Sequence, residues 1–157
     1  MTEHTHGHDH EHEHEHHGHG HDHEHHGHGH SHETTLQLSY ATVDLAAHMH
    51  DQAATVSATI KLDEGATMQF SQLASAMQTI ADRSEEAGGI VGHIKGYAGV
   101  GESFVHASCT DAAQGVTTQG DSSLALDADS TIQLVAIVML LDLHDLQSIV
   151  TTALEAE

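Results

Sequence analysis

Residues 131–141 read TIQLVAIVMLL, and this segment contains the longest apolar run of the 157-residue chain. Isoleucine, valine and leucine pack well in sheets, so the segment predicts a buried strand. The run is far too short to cross a bilayer. A helix is predicted directly behind it, at residues 142–156, with Asp142 as its N-cap. The apolar face of this helix would comprise Leu143, Leu146, Ile149, Val150 and Leu154.

Four more strands are predicted from apolar residues that alternate with polar ones at period two. Their predicted ranges are residues 36–44, 54–62, 90–95 and 104–110. Gly96, Gly99 and Gly101 separate the last two ranges, so we expect those two strands to form a hairpin. The polar residues 111–130 predict turns and allow one short edge strand near Val116.

A second helix is predicted at residues 68–87, where apolar side chains recur at spacings of three and four. Gly88 and Gly89 would end it. Two amphipathic helices and about five strands predict an α+β fold class. We expect a small two-layer sandwich of about five mainly antiparallel strands with two helices. The helices would cover one face of the sheet, and the other face would be solvated or used for assembly.

The N-terminal segment differs sharply in composition from the rest of the chain. Residues 1–33 hold 16 of the 21 histidines and 8 of the 24 acidic residues, and Met1 is their only hydrophobic residue. Such a segment cannot bury enough apolar surface to offset the entropy of ordering. We therefore predict a disordered histidine-rich arm at residues 1–33, followed by a single α+β domain at residues 34–157.

Acidic residues greatly outnumber basic ones in the predicted domain. In residues 34–157, Lys61, Arg83 and Lys95 stand against 16 acidic side chains, which gives a net charge of −13. This balance argues against nucleic acid or an anionic membrane as a partner, because both attract positive charge. It favours the attraction of cations, although adaptation to high salt or a need for solubility would produce the same balance.

The single cysteine, Cys109, excludes an intramolecular disulfide. On its predicted strand it shares a face with Val105 and Ala107, which favours a small buried residue over a metal ligand. The N-terminus lacks the apolar core of a secretory signal. Since the sequence shows neither a secretory signal nor an apolar run long enough to cross a bilayer, we predict a cytoplasmic protein.

The arm carries the clearest chemistry of the chain. Neutral imidazole is a good ligand for zinc, nickel, copper and cobalt ions. Closely spaced imidazoles on a flexible chain close small chelate loops at little entropic cost. With about four ligands per ion, the arm could hold on the order of four ions, and we expect nickel, zinc or cobalt as the bound divalent metal. The predicted ligands are His4, His6, His8, His10, His12, His14, His16, His17, His19, His21, His23, His25, His26, His28, His30 and His32.

Histidine occupies every even position from His4 to His16, and the pattern continues irregularly to His32. This composition resembles the histidine-rich segments of nickel and zinc accessory proteins, such as hydrogenase and urease maturation GTPases and small nickel-storage proteins. The resemblance covers residues 4–32 and implies metal storage or delivery. The rest of the chain departs from the GTPases, since it contains no G-x-x-x-x-G-K-[ST] sequence. Nucleotide hydrolysis is therefore not expected.

Four histidines outside the arm form a candidate ordered metal site: His48, His50, His93 and His106. His48 and His50 are separated by one residue, so on a strand they would share one face. The simpler interpretation, which we favour, is four separate surface histidines. A register error of a single residue would move a side chain to the opposite face of the sheet.

The predicted hairpin supplies the geometric argument for this site. If its loop centres between Gly99 and Val100, His93 lies directly opposite His106, with about 5 Å between the two Cβ atoms. Lys95 would share a face with His93, and such a pair could take part in acid–base chemistry. No paired carboxylates, Ser/His/Asp set or cofactor loop accompanies it. The sequence therefore leaves enzyme activity open but favours its absence.

The leading hypothesis is a metal-binding accessory protein, a metallochaperone or storage protein whose arm gathers ions and whose domain docks to a metal recipient or to a second copy. The alternative is an interaction or regulatory domain that responds to metal or pH through its arm. A small enzyme with a metal-buffering tail is the third interpretation. The expected partners are metal ions, a recipient protein and a homo-oligomer, without nucleic acid or membrane.

The arm should lose its metal capacity as the pH falls. Imidazole must be deprotonated to bind a metal ion, and its unperturbed pKa is about 6.5. We expect the number of bound nickel ions to collapse between about pH 7 and about pH 5, measured by competition with a chromophoric chelator. An unchanged stoichiometry at the lower pH would contradict the imidazole assignment.

Overall fold

The computed structural model describes residues 32–157, and in this part the chain forms nine strands and two helices. The helices are α1 (Phe70–Glu86) and α2 (Leu143–Glu155). His32 and Glu33, which the prediction assigned to the arm, are the first residues of a strand, and the rest of the arm lies outside the described residues. The strands are β1 (His32–Gln37), β2 (Ala41–His50), β3 (Ala53–Leu62), β4 (Met68–Gln69), β5 (Ile90–Val100), β6 (Ser103–Cys109), β7 (Thr117–Gly120), β8 (Ala125–Leu126) and β9 (Thr131–Met139).

The apolar segment TIQLVAIVMLL supplies β9, which is the middle strand of a seven-stranded sheet. The strand order is β1-β2-β3-β9-β5-β6-β7, and every neighbouring pair is antiparallel. β4 and β8 form a separate two-stranded ladder. The predicted α+β class, with an antiparallel sheet and two helices, is thus confirmed.

The sheet is larger than the predicted five strands, and the two additional strands lie at its edges. The single strand predicted at residues 36–44 was wrong: β1 ends at Gln37, the chain turns, and β2 begins at Ala41. The Leu38 N–H donates to the Ala41 carbonyl at 2.8 Å in this turn. At the other edge, β7 is short and fully exposed. Edge strands such as these lack the apolar alternation that identifies inner strands.

Both helices lie on the same face of the sheet and enclose the core with it. In β9, Ile132, Leu134, Ala136 and Val138 are buried toward the helices, while the residues between them are more exposed. Such alternation is what period two requires of a strand covered on one side. α1 buries Phe70, Leu73, Ala76, Met77, Ile80, Ala81 and Ser84, and α2 buries Leu146, Val150, Ala153 and Leu154.

The ends of the helices follow local chemistry. Asp142 is the N-cap of α2, as predicted: its Oδ1 accepts a hydrogen bond from the His144 N–H at 2.8 Å. α1 begins two residues later than predicted, because Met68 and Gln69 pair with β8. It is followed by Gly88, whose φ of +88° a residue with a side chain rarely adopts. Neither helix has the length and apolar character that a membrane-spanning helix requires.

A glycine in β5 allows α1 to approach the sheet closely. A Cβ at Gly96 would lie 2.7 Å from Met77 Sδ and 3.3 Å from Leu73 Cδ2, both on α1. Either distance is too short for an unstrained contact in a close-packed interior. The glycine therefore belongs to the strand for a packing reason, although the sequence suggested a loop at this position.

The substitution Gly96→Val should lower the free energy of unfolding by about 1–3 kcal/mol, because its methyl groups crowd the core against Met77. Urea unfolding measures the loss. Adding Met77→Ala should relieve this crowding, so the double substitution should cost less than the sum of the two single ones. Strictly additive losses would contradict the proposed contact.

Candidate functional site

The face of the sheet opposite the helices is the candidate functional surface, and we call it the open face. Both helices pack against the other face, and no other element of residues 32–157 lies across this one. Its side chains come from alternate positions of all seven strands. The strand registers align two rows across it. One row is Glu33, Ala46, Ser57, Val135, Lys95, Ser108 and Thr117, and the other is Thr35, Asp44, Thr59, Gln133, Tyr97, His106 and Gln119.

A groove of about 460 Å³ runs over the β9–β5–β6–β7 half of the open face. Its volume lies in the range of small-molecule sites. The rings of Tyr97 and His106 stand 5.0 Å apart at a tilt in its floor, and Phe104 meets His106 edge-on at 5.5 Å. The remaining lining side chains that can form hydrogen bonds are Lys95, Ser108, Thr117, Thr118, Gln119 and Gln133.

The chemistry of this groove is that of a neutral-to-basic polar surface. Its lining contains no carboxylate, so it lacks the charged oxygen ligands that hard cations favour and the paired acids of many hydrolases. Lys95 contributes a positive charge, and among the described residues it forms no ion pair. The groove can therefore hold neutral or anionic groups by hydrogen bonds and by contact with its aromatic rings.

The predicted body histidines all lie on the open face but do not form one cluster. His48 and His50 are at the end of β2, opposite Thr55 and Ala53 of β3. His93 lies on β5, and β3 and β9 separate β2 from β5, so the side chains are about 14 Å apart across the strands. Within residues 32–157, no three His, Cys, Asp or Glu side chains are arranged so that they could hold a metal ion.

The prediction that His93 lies opposite His106 was wrong by four residues. β5 and β6 are joined by a tight turn at Gly101 and Glu102, with Val100 paired to Ser103. Tyr97 therefore stands opposite His106. His93 instead pairs with Ile137 of β9, the strand that flanks β5 opposite β6.

The error arose because β5 continues through glycines that normally suggest a loop. β5 runs from Ile90 to Val100, whereas the sequence predicted its end at residue 95. Gly96 admits α1, and a Cβ at Gly99 would lie 2.6 Å from the hydroxyl oxygen of Tyr97. Close neighbours, not a turn, account for both glycines. Lys95 shares the open face with His93 as expected, but its partner on β6 is Ser108.

Two further histidines lie at the root of the arm. His32, the last of the predicted arm ligands, is exposed on β1 and pairs with Ala47. It lines a shallow depression together with Asp142, His144 and Gln147. His144 is exposed in the first turn of α2. The other fifteen predicted arm ligands lie outside the described residues.

Sequence reasoning missed most of the residues that line the groove. Tyr97, Gln119 and Gln133 are not in contact along the chain, and each looks like an ordinary surface residue in its own segment. Period-two alternation does place Gln133 on the outward face of β9. The row that joins it to Tyr97 and His106 depends on the register of three strands, which no local pattern specifies.

One carboxylate of the open face is held by specific partners. Asp44 Oδ2 accepts a hydrogen bond from Lys61 Nζ at 3.2 Å, and Asp44 Oδ1 accepts one from Thr35 Oγ1 at 3.1 Å. The hydrogen bond from Lys61, followed by that from Thr35, lowers the pKa of Asp44. Asp44 is thus charged and paired on this surface at neutral pH.

Comparison of the chain with models of protein families, with curated proteins and with solved structures found no match.

Cys109 is buried at the end of β6, and only 1% of its surface is exposed. This confirms the expectation of a small buried residue. Burial raises the pKa of the Cys109 thiol, so the reactive thiolate is scarce at neutral pH. A role in metal binding or nucleophilic chemistry has no support from its surroundings.

The native thiol of Cys109 should react with a chromogenic disulfide reagent far more slowly than the same thiol in the urea-unfolded chain, because burial excludes the reagent and raises the pKa. The rate should rise with pH as the thiolate forms. A matched chain with Cys109→Ser and Thr152→Cys, exposed on α2, should react quickly when folded. Equal rates for both folded chains would be inconsistent with a buried thiol.

Proposed function

We propose that this protein is a cytoplasmic accessory protein that binds divalent transition-metal ions, with nickel, zinc or cobalt as the expected ions, and stores or delivers them. One observation carries the proposal: 16 imidazoles between His4 and His32, most of them at alternate positions. Imidazole nitrogen suits these ions, and closely spaced imidazoles can chelate one ion together without a preformed site.

The folded domain supports a division of labour between the two parts of the chain. The described residues contain no group of three metal-ligating side chains suited to one ion. A body without a competing site would leave captured ions on the arm, from which they can pass to a recipient. Exchange between many similar ligands is faster than release from a closed, rigid site, because no single geometry has to be dismantled.

The charge of the domain is consistent with gathering cations. The described surface outside the open face carries 15 acidic side chains against one basic residue, Arg83. Such a field raises the local concentration of cations near the surface. The arm joins the domain at His32, which is exposed on the edge strand β1.

The second candidate function is an interaction or regulatory domain that responds to metal or pH. It is favoured by the four histidines on the open face, His48, His50, His93 and His106, since protonation would change the charge of that surface. It predicts that metal or pH changes the affinity for a protein partner. An enzyme is the least supported interpretation, because the groove around Lys95 and Tyr97 lacks a carboxylate.

Removing residues 2–31 tests the leading proposal and keeps β1 complete. Isothermal titration with nickel should give on the order of four ions for the full chain, and the shortened chain should lose all tight binding. A matched control with an intact arm carries His48→Asn, His50→Asn, His93→Asn and His106→Asn, and should bind as the full chain does. Full stoichiometry in the shortened chain would refute the proposal, and a single site lost only in the control would assign that site to the body.

A further inference from the structure

We propose that the open face is the interface of a symmetric homodimer, with a second copy of this chain as its occupant. The distribution of charged residues between the open face and the remaining surface supports this proposal. Among the strand positions of the open face, the acidic residues are Glu33 and Asp44 and the basic residues are Lys61 and Lys95, while the other 15 of the 17 acidic residues in residues 32–157 lie outside these positions. The formal charge of the open face is therefore zero, while the remaining described surface carries −14.

This distribution favours the open face as the surface on which two copies approach. The remaining described surface carries the net negative charge, and like charges oppose association. The open face avoids that repulsion. Charged residues are also depleted from the centres of known protein interfaces.

The arrangement of apolar side chains on the open face also supports a dimer. Its middle strand, β9, presents half-buried Val135 and Ile137 and, at its end, Met139. Ile90 pairs with Met139 and is 51% exposed. The flanking strand β3 presents Thr55, Ser57, Thr59 and Lys61. An apolar centre within a polar surround is the usual anatomy of a protein interface.

The area of the open face also fits a dimer interface. The five inner strands have seven to eleven residues each. With about 4.8 Å between strands and about 3.3 Å per residue, the face covers on the order of 800 Å². A stable specific interface buries about 800 Å² per partner. The whole open face thus matches the surface that one such dimer requires.

The strand order allows a two-fold axis over β9. Three strands lie on each side of β9, so a two-fold axis in the interface, passing over the middle of β9, brings Val135 against its own copy. If the axis is parallel to β9, the β1–β3 half of one copy covers the β5–β7 half of the other. Asp44 and His106 lie in one row, each two strands from β9, so the Asp44 carboxylate of one copy then faces the His106 imidazole of its partner.

This inference deepens the proposed function, because a dimer would carry two arms, but it does not need metal binding to be correct. The test uses the full-length chain in the presence of a chelator, so that metal-bridged arms cannot contribute to the mass. Failure to bind nickel would leave the dimer unaffected, and a monomeric mass would leave the metal titration unaffected. The two proposals therefore fail separately.

Light scattering after size-exclusion chromatography should give twice the mass of one chain at micromolar concentration. Val135→Lys should give the mass of one chain, because it places two ammonium groups together at the axis and beside Lys95. Thr152→Lys makes the same charge change on the exposed side of α2, and should remain dimeric. Both substitutions lower the net negative charge, so a monomeric Val135→Lys chain cannot be attributed to general repulsion.

Circular dichroism establishes that each variant is folded. If Val135→Lys does not fold, Val135→Cys replaces it: oxidation should join two such chains through the thiols introduced on β9, whereas Thr152→Cys should not cross-link at a comparable rate. A wild-type chain with the mass of a monomer would overturn the proposal. So would a folded Val135→Lys chain that remains a dimer, or a Val135→Cys chain that cross-links no faster than its control.

Discussion

The burial of one side of β9 between two partner strands is the constraint on which the rest of the structure depends. Ile132, Leu134, Ala136 and Val138 are at most 1% exposed, and each large apolar side chain of this kind stabilises the fold by roughly 1.5–3 kcal/mol. β9 comes late in the sequence, yet it lies between β3 and β5. The two halves of the sheet therefore join only when a distant segment inserts between them, which is a topology with many long-range contacts.

The many acidic residues of the domain lie where they form local hydrogen bonds or are exposed to solvent. Three aspartates stabilise turns. Asp111, Asp121 and Asp127 each accept a hydrogen bond from the backbone N–H two residues later, at 2.8–3.0 Å. The hydrogen bonds from the backbone and side chain of Gln114, followed by that from the Ala113 N–H, lower the pKa of Asp111, and those from the side chain and backbone of Ser123 lower the pKa of Asp121. The chain contains no proline, so aspartate, glycine and serine supply the turn chemistry. This use of acids in turns and helices leaves the open face neutral.

The proposed metal binding and the surface of the domain depend on different properties of the chain. Chelation by the imidazoles of residues 4–32, as proposed, needs a high density of ligands and no fixed arrangement. The open face, by contrast, consists of rows aligned by strand pairing, such as the row that brings Tyr97 and His106 together. A metal site scattered over the domain histidines would need a geometry that the strand order does not provide, since two strands lie between His48 and His93.

Local patterns predicted those elements in which one side is buried and the other is wet. α1, α2 with its Asp142 cap, β3 and β9 follow directly from the spacing of their apolar residues. The edge strand β1 was not recognised as a separate strand, because a strand exposed on both sides has no such spacing. The other edge strand, β7, lies where a short edge strand was expected near Val116. The register of β5 and β6 was missed because Gly96 and Gly99 lie within β5 and do not form its turn. Gly96 is required by the close approach of α1, and Gly99 lies under the side chain of Tyr97.

The sequence by itself determined the composition of the arm, the fold class and the face on which most strand residues lie, because these depend on residue type and on periods of two or 3.6 residues. The tertiary structure alone decided which residues stand opposite one another, and hence the groove, the separation of the histidines and the neutrality of the open face. The physical reason is that a periodic pattern specifies the face to which each side chain points but not the register between neighbouring strands. That register is set by turn geometry and by packing between segments that are far apart in the chain.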